Sequence, residues 1–418
     1  MIIKQIQAKQ IKDSRGEKTI QVIIKTDKGK FKTNSPAGKS TGKYEVKSYA
    51  KSLDEDIKEI IKLDLEKINK LNLNKFEDLS NIEKVIGNHI GGNSLFALES
   101  SLLKAIAKEK GKELWEFLKE ETKNSKKERI RSVGNSIGGG LHSKGVDGKK
   151  PDFQEFLFIA DCDKFSDCVK WNKKSYNLVK QILKARRRNK NNFIQNSLGF
   201  LTSLWKNCRL SNSVRNDEGA LETGKSNEEV LMIMNSVREL IKKKYNVKID
   251  IGLDVASSSF YDGYYNYKNP KMRLSKSAQI NYMNDLIENY DIFYLEDGLD
   301  EEDFSGFRSL KKEHLIVGDD LTTTNPERLK KAIRMNSING IIVKPNQIGS
   351  LLKVRDVIEL AKKNKIKTII SHRSGETDDD TIADLGIGFG CDFIKSGIYG
   401  RVRNSKLKRI IKIEKNNK

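Results

Sequence analysis

The sequence predicts an α/β protein: a barrel of parallel strands covered by helices, preceded by a smaller α+β domain. Three observations carry that expectation. Strand-like patterns give way to helical ones within the first 118 residues, and a polar stretch, KEETKNSKKER, fills residues 119–129. From Ile249 onward, a short apolar run followed by an amphipathic stretch recurs six times. A chain of 418 residues with 37% hydrophobic content can build one large domain and a companion. The polar stretch divides it into residues 1–125 and 126–418.

The elements follow in order. IIKQIQAKQI and TIQVIIKTDKGKFKTNS alternate apolar and polar residues at the strand period of two, with DKGK as a turn. LDEDIKEIIKLDLEKI and NSLFALESSLLKAIAKEKGKELWEFL then place apolar residues at i, i+3, i+4 and i+7, which predicts helices. RIRSVGNSI and FQEFLFIA are strand-like again. The six repeating runs are KIDIGLD ending at Asp254, DIFYLED with Glu296, LIVGDD with Asp319, INGIIVK ending at Lys344, KTIISHRS with His372, and CDFIKS with Lys395. After the first interval, these polar residues lie 23 to 28 apart, the length of a strand, a helix and their loops. Six such units with strands upstream favour a closed barrel over an open sheet.

A strand covered on both faces should be apolar throughout. Here each run breaks into a polar residue at its C-terminal end, where barrel enzymes carry their catalytic groups. One strand leaving into a polar loop would mean little. Six strands delivering Asp, Glu, Asp, Lys, His-Arg-Ser and Lys to one rim are better explained by a shared site.

Composition narrows the partners. The net charge is 79 − 57 = +22, which raises nucleic acid as a candidate partner. The lysines are spread along the chain, however, and the one dense run, KARRRNKNN at residues 184–192, has no interleaved aromatics. A solvated loop is the expectation there, and nucleic acid is not expected as a partner. Cys162, Cys168, Cys208 and Cys391 show no CxxC spacing, which fits a reduced cytosolic setting. With neither a secretory signal nor a membrane-length apolar run, a cytoplasmic location is expected. SPAGKSTGKYE, residues 35–45, contains the Gly-Lys-Ser-Thr end of a phosphate-gripping P-loop. The required glycine five residues before Gly38 is Thr33, and Pro36 removes a backbone donor, so this is not such a loop.

The rim residues suggest a chemistry. Asp254, Glu296 and Asp319 offer oxygen ligands that suit Mg²⁺ or Mn²⁺ rather than Zn²⁺. Lys344 and Lys395 stand beside them, and a neighbouring metal together with desolvation is expected to lower their pKa toward that of a general base. The alternative is that such a lysine balances the carboxylates' charge. Arg373, between His372 and Ser374, suits bidentate capture of phosphate or carboxylate. Metal, lysine base and arginine clamp together suggest proton abstraction next to a carboxylate.

SRGEKTI, GKSTGKYE, QEFLF, NDEG, LDVASSSFYDG, VGDDLTTTNPERL, VKPNQIGS and SHRSGETDDDTIADL occur in that order, and on them the chain resembles the enolase family from Asp13 to about Glu414. The enolase superfamily is itself a standard example of a Lys or His base working with one or two Mg²⁺ ions. The resemblance implies an enolase-type barrel of order ββαα(βα)6 behind an α+β N-terminal domain, and Mg²⁺-dependent interconversion of 2-phosphoglycerate and phosphoenolpyruvate. It implies Lys344 as the base at C2, and Glu218 as the acid at the C3 hydroxyl with Glu155 assisting. Asp254, Glu296 and Asp319 would hold one Mg²⁺. A second Mg²⁺ would arrive with substrate, using Ser40 and the substrate phosphate. His142, Gln154, Glu155, His372, Arg373, Ser374 and Lys395 would contact the substrate, His142 from a closing loop. The family also implies a homo-oligomer, a dimer or an octamer.

The departures are local. Gly219-Ala220 replaces a double glycine, LETGK follows it, SKGVDGKKPDF after His142 is long and basic, EDG replaces EDP at residues 296–298, and GRVRNSKLKRI lacks a glutamate. None removes a residue assigned to chemistry or metal. Two other readings stay open: a paralogue acting on another carboxylate substrate, and a non-catalytic protein whose charge serves nucleic acid.

Overall fold

The computed structural model describes residues 1–39, 42–124, 129–188 and 214–416, with side chains at 186–188 set aside. Ser40, Cys208 and the end of the basic run at 189–192 therefore lie outside the described residues. The alternating N-terminal segments form an antiparallel meander of β1 (Ile3–Lys12), β2 (Lys18–Thr26) and β3 (Gly29–Asn34). Its apolar face, including Ile20, Val22 and Ile24, is fully buried, and the helix Gly92–Glu109 packs against β2 and β3. Helices Leu53–Ile61, Leu65–Lys70, Leu79–Ile86 and Leu114–Glu121 complete the α+β unit. The last of these takes up the first three residues of the stretch expected to be linker. Glu121 is fixed there because its carboxylate accepts the Phe76 N–H at 2.9 Å.

The larger unit is built on β4 (Arg131–Gly138), β5 (Glu155–Ala160) and β6 (Ile249–Asp254). An outlying hairpin of β7 (Tyr265–Lys268) and β8 (Lys271–Leu274) follows. Then come β9 (Ile292–Glu296), β10 (Leu315–Gly318), β11 (Gly340–Val343), β12 (Lys367–Ser371) and β13 (Phe393–Lys395). The sheet closes in the order β10-β11-β12-β13-β4-β5-β6-β9, with β9 paired back to β10. β5 runs antiparallel to both neighbours, and every other barrel pairing is parallel. Helices Phe165–Arg188 and Asn227–Tyr245 lie between β5 and β6, and one main helix follows each later barrel strand. This is the ββαα(βα)6 order. The reversal of β5 explains why Glu155 begins its strand: its register partner is Asp254, at the end of β6.

Side-chain alternation decides what the barrel holds. Val133, Leu157, Ile159, Tyr294, Leu315, Val317, Ile342, Ile369 and Phe393 form one buried cluster inside the ring. Two residues toward the rim from Leu157, Tyr294, Val317, Ile342 and Phe393 stand Glu155, Glu296, Asp319, Lys344 and Lys395. The rim groups are thus the top layer of the same inward-facing rows, and the apolar layer below excludes water from them. At the opposite end, Arg131 pairs with Asp250 at 2.6 Å, and its guanidinium lies over the Phe293 and Phe393 rings.

The N-terminal unit docks on the rim. Ala37 bridges to Gly375, and Asn346 donates to Asn93 Oδ1 at 2.8 Å and to the Pro36 carbonyl at 3.2 Å. Gly349 has φ of +79°, and a Cβ there would sit 2.8 Å from the Gly92 Cα, so two backbones touch where side chains would separate them. No helix among the described residues is long and apolar enough to cross a membrane.

Leu157 is fully buried in the inner layer beneath Glu155. Leu157→Ala should lower unfolding stability by about 2–5 kcal/mol, seen as a lower urea midpoint at unchanged slope. A shift within the scatter of surface mutants would show that this layer is not a packed core.

Candidate active site

The rim encloses a cavity of about 60 Å³. His142, Gln154, Glu155, Glu218, Asp254, Asp319, Lys344, His372, Arg373, Ser374 and Lys395 all line it. Of the residues expected from sequence, only Glu296, which is fully buried, and Ser40, outside the described residues, are absent from the lining.

Lys395 occupies the centre. Its Nζ lies 2.8 Å from Asp254 Oδ2, 2.8 Å from both Glu296 oxygens and 3.2 Å from Glu155 Oε2. Burial opposes its charge, yet Asp254, Glu155 and Glu296 hold its proton far more tightly than water would. Lys344 Nζ pairs with Asp319 Oδ2. Burial again works against the ammonium, Asp319 works for it and Arg373 against, and the balance lies above the usual lysine value. The sequence predicted lowered lysine pKa values, and here both are raised. The physical reason is that the carboxylates within reach outweigh desolvation.

The acids respond in turn. Burial, reinforced by Asp254, lifts Glu296 well above the carboxylate range, and burial lifts Asp254 too. Asp319 moves down: burial would raise it, but Lys344 and then Lys395 outweigh that. Asp297 accepts the Asp319 N–H at 3.0 Å and the Asp320 N–H at 2.7 Å, which fixes the turn that aims Asp319. Burial and Asp319 raise Asp320 to about 7.

Among the described residues, two groups bring ligand-type atoms within 4.8 Å of one another. They are Asp297, Asp319 and Asp320, and His142, Glu155 and Glu218. Of the three acids expected to share a metal, Asp319 belongs to the first group, while Asp254 and Glu296 close on the Lys395 ammonium instead. The donor set still suits a hard cation. Two of the three acids already surround a positive charge, and Asp319 Oδ1 is buried with no hydrogen-bond partner among the described residues.

On the opposite wall, burial with Glu218 alongside raises Glu155 to about 7, against the pull of Lys395. Glu218 Oε1 lies 3.4 Å from His142 Nδ1, and burial lowers the pKa of that histidine. A carboxyl group with a pKa near 7 can hold a proton at neutral pH and pass it on, and Glu155 is such a group, with the Glu218 and His142 side chains lining the same cavity. Gln154 donates to Asp254 Oδ2 at 3.3 Å.

The wall that carries Arg373 and Ser374 is assembled across the two units. Arg373 Nη2 meets Glu45 Oε2 at 2.9 Å, and its Nη1 donates to Asn346 Oδ1 at 3.2 Å. Ser374 Oγ receives the Lys39 N–H at 2.8 Å and the Arg15 Nη1 at 3.2 Å, while Arg15 pairs with Asp13 at 3.1 Å. Arg15, Lys39, Glu45 and Asn346 were not singled out as site residues from sequence. They sit within the quoted motifs, but a motif does not say which residue hundreds of positions away it will meet. The nearness of Lys39 to this wall gives the P-loop-like stretch its place without making it a P-loop.

Comparison with known proteins agrees across the chain. Residues 3–118 match the family model "Enolase, N-terminal domain", and residues 200–417 match "Enolase, C-terminal TIM barrel domain". "Enolase" of Picrophilus torridus is 33% identical over 99% of this chain and 98% of its own length. "Enolase" of Thermoplasma acidophilum is also 33% identical, and that of Methanocorpusculum labreanum 35%, each with the same coverage.

Burial, then Arg403 and Lys395, push His372 well below the usual histidine range. Its folded pKa is depressed, so the unfolded state binds the extra proton. The stability that the neutral ring contributes is present above about pH 6.5 and is lost as pH falls from there toward the folded value. His372→Gln should therefore show a shallower fall in stability between pH 7 and pH 5 than the parent, by at most about 1.4 kcal/mol per pH unit. Urea midpoints across that range measure it, and identical slopes in both proteins would contradict a neutral buried ring.

Proposed function

The chain belongs to the enolase family, whose members are lyases, and on that premise we propose that it catalyses the reversible dehydration of 2-phosphoglycerate to phosphoenolpyruvate. The observation that carries the reading is the opposition of two proton-handling walls across one cavity. Lys344 stands on one side, and the Glu155–Glu218 carboxyl pair on the other.

Lys344 takes the proton from C2; burial and Arg373 favour its neutral form, against Asp319, whose carboxylate holds the ammonium more strongly. Glu218 gives a proton to the C3 hydroxyl, which leaves as water, and Glu155 shares that proton from beneath. Arg373 and Ser374 grip the phosphate, His372, Gln154 and Lys395 meet the rest of the substrate, and His142 covers it. Asp254, Glu296 and Asp319 would hold one Mg²⁺, and Ser40 with the substrate phosphate a second. What Mg²⁺ would supply is positive charge against the carboxylate charge that grows as the C2 proton departs. Residues 1–125 cap a barrel of residues 126–418, and a homo-oligomer is the expected assembly.

The absorbance of phosphoenolpyruvate formed from 2-phosphoglycerate tests this directly. Turnover should require Mg²⁺ and stop on addition of a chelator. Lys344→Ala and Glu218→Gln should each lower kcat by about 100- to 10,000-fold while leaving the circular dichroism spectrum unchanged. Chelator-insensitive product, or parental rates in either variant, would refute the assignment.

A further inference from the structure

Arg403, in the first turn of the helix Arg401–Asn416, is 1% exposed, yet among the described residues no carboxylate lies within ion-pair distance of it. A buried guanidinium ordinarily has such a partner. Its contacts are instead three consecutive residues of the anion-clamp segment. Nη1 donates to His372 Nδ1 and to the Arg373 carbonyl at 2.6 Å, and Nη2 donates to the Ser374 carbonyl at 2.7 Å. We propose that Arg403 is the positioning residue of the phosphate-binding wall, fixing the tautomer of His372 and the backbone that carries Arg373 and Ser374. The proposal rests on the enolase reading of those three residues.

The tautomer follows from donor and acceptor chemistry. An arginine has five donors, no acceptor and no accessible neutral form. His372 Nδ1 must therefore accept, and the proton of the neutral ring resides on Nε2. The residue lines the cavity, so it presents an N–H there rather than a lone pair. That N–H suits an anionic or hydroxyl oxygen of substrate. Without Arg403, either tautomer is open, and the wrong one points a lone pair at an oxygen.

The same helix anchors the segment twice. Lys406 pairs with Glu376 at 2.6 Å, and Glu376 accepts the Arg373 N–H at 3.2 Å and the Thr377 N–H at 3.1 Å. Lys406 is thus paired with a carboxylate, whereas the hydrogen bonds of the Arg403 guanidinium among the described residues go to carbonyls and an imidazole. Its positive charge stands directly behind the clamp, where the anion that answers it is the bound phosphate. Holding the clamp rigid before binding avoids an ordering cost when substrate arrives.

The test reads the ring before it reads activity. Long-range ¹H–¹⁵N NMR distinguishes Nδ1 from Nε2 protonation, and the loss of one of four histidine patterns in His372→Gln assigns the residue. At pH 7, the parent should carry its proton on Nε2. Arg403→Met, which keeps length but cannot donate, should shift His372 toward mixed tautomers, and Arg403→Lys should retain Nε2–H only in part. In parallel, Arg403→Met should weaken inorganic phosphate binding by calorimetry and raise KM for 2-phosphoglycerate by about 10- to 100-fold, with a smaller change in kcat. Arg403→Lys, retaining the charge, should fall between. A parental ring protonated on Nδ1, or a tautomer and a KM indifferent to either substitution, would overturn the proposal. Should Arg403→Met fail to fold, the parental spectrum and Arg403→Lys still decide. A parent that lacks turnover while its ring carries the proton on Nε2 would instead sink the enolase reading and leave the tautomer assignment standing.

Discussion

The arrangement depends on one buried ammonium. Lys395 lies at the C-terminal end of the last barrel strand, within 3.2 Å of Glu155, Asp254 and Glu296, which come from three other strands. Carboxylates cannot be packed together away from water unless positive charge joins them or protons neutralise them. The closed structure uses both routes, through Lys395 and Lys344 on one hand and through raised acid pKa values on the other. The barrel must close for this to happen, because the four groups belong to β5, β6, β9 and β13. The same excess of acid over base is what makes the site receptive to a divalent cation. An oxygen set that already surrounds one ammonium, with Asp319 Oδ1 unpartnered among the described residues, suits further positive charge.

The second constraint is the seam between the two units. The clamp is not a property of the barrel alone. Arg373 rises from the loop after β12, but Glu45 and Asn346 hold its guanidinium, and Arg15 and Lys39 hold Ser374. Three of these four partners come from the N-terminal unit, which therefore completes one wall of the cavity. Behind that wall, Arg403 and Lys406 reach in from the last helix. The Arg373–Ser374 segment is thus fixed from three directions, and on the proposed reading an anion would meet it already shaped.

Much of this was legible in the sequence, and particular residues show why. The strand period of two places Lys344 two positions beyond Ile342 and Lys395 two beyond Phe393, so each rim group shares a face with an inner-layer residue whatever the rest of the chain does. The position of Glu155 at the start of its run is accounted for by the ββαα(βα)6 order that the family resemblance implies, and β5 is reversed. The extent of the helix Leu114–Glu121 was less legible. Its last turn is polar and is held by Glu121 contacting Phe76, a partner 45 residues away. The protonation of Lys344 and Lys395 was misread because sequence shows that acids are numerous but not which acid lies within 3 Å of which ammonium.

The sequence by itself determined the order of elements, the inward rows of the barrel and the set of chemical groups at its rim. These follow from backbone geometry that repeats every two or 3.6 residues and is therefore local. Only the tertiary structure decided the pairings: Lys395 with Glu296, Arg373 with Glu45 across 328 residues, and Arg403 with the His372 segment. Those contacts depend on the closure of the barrel and the docking of one unit on another, and no local period encodes them.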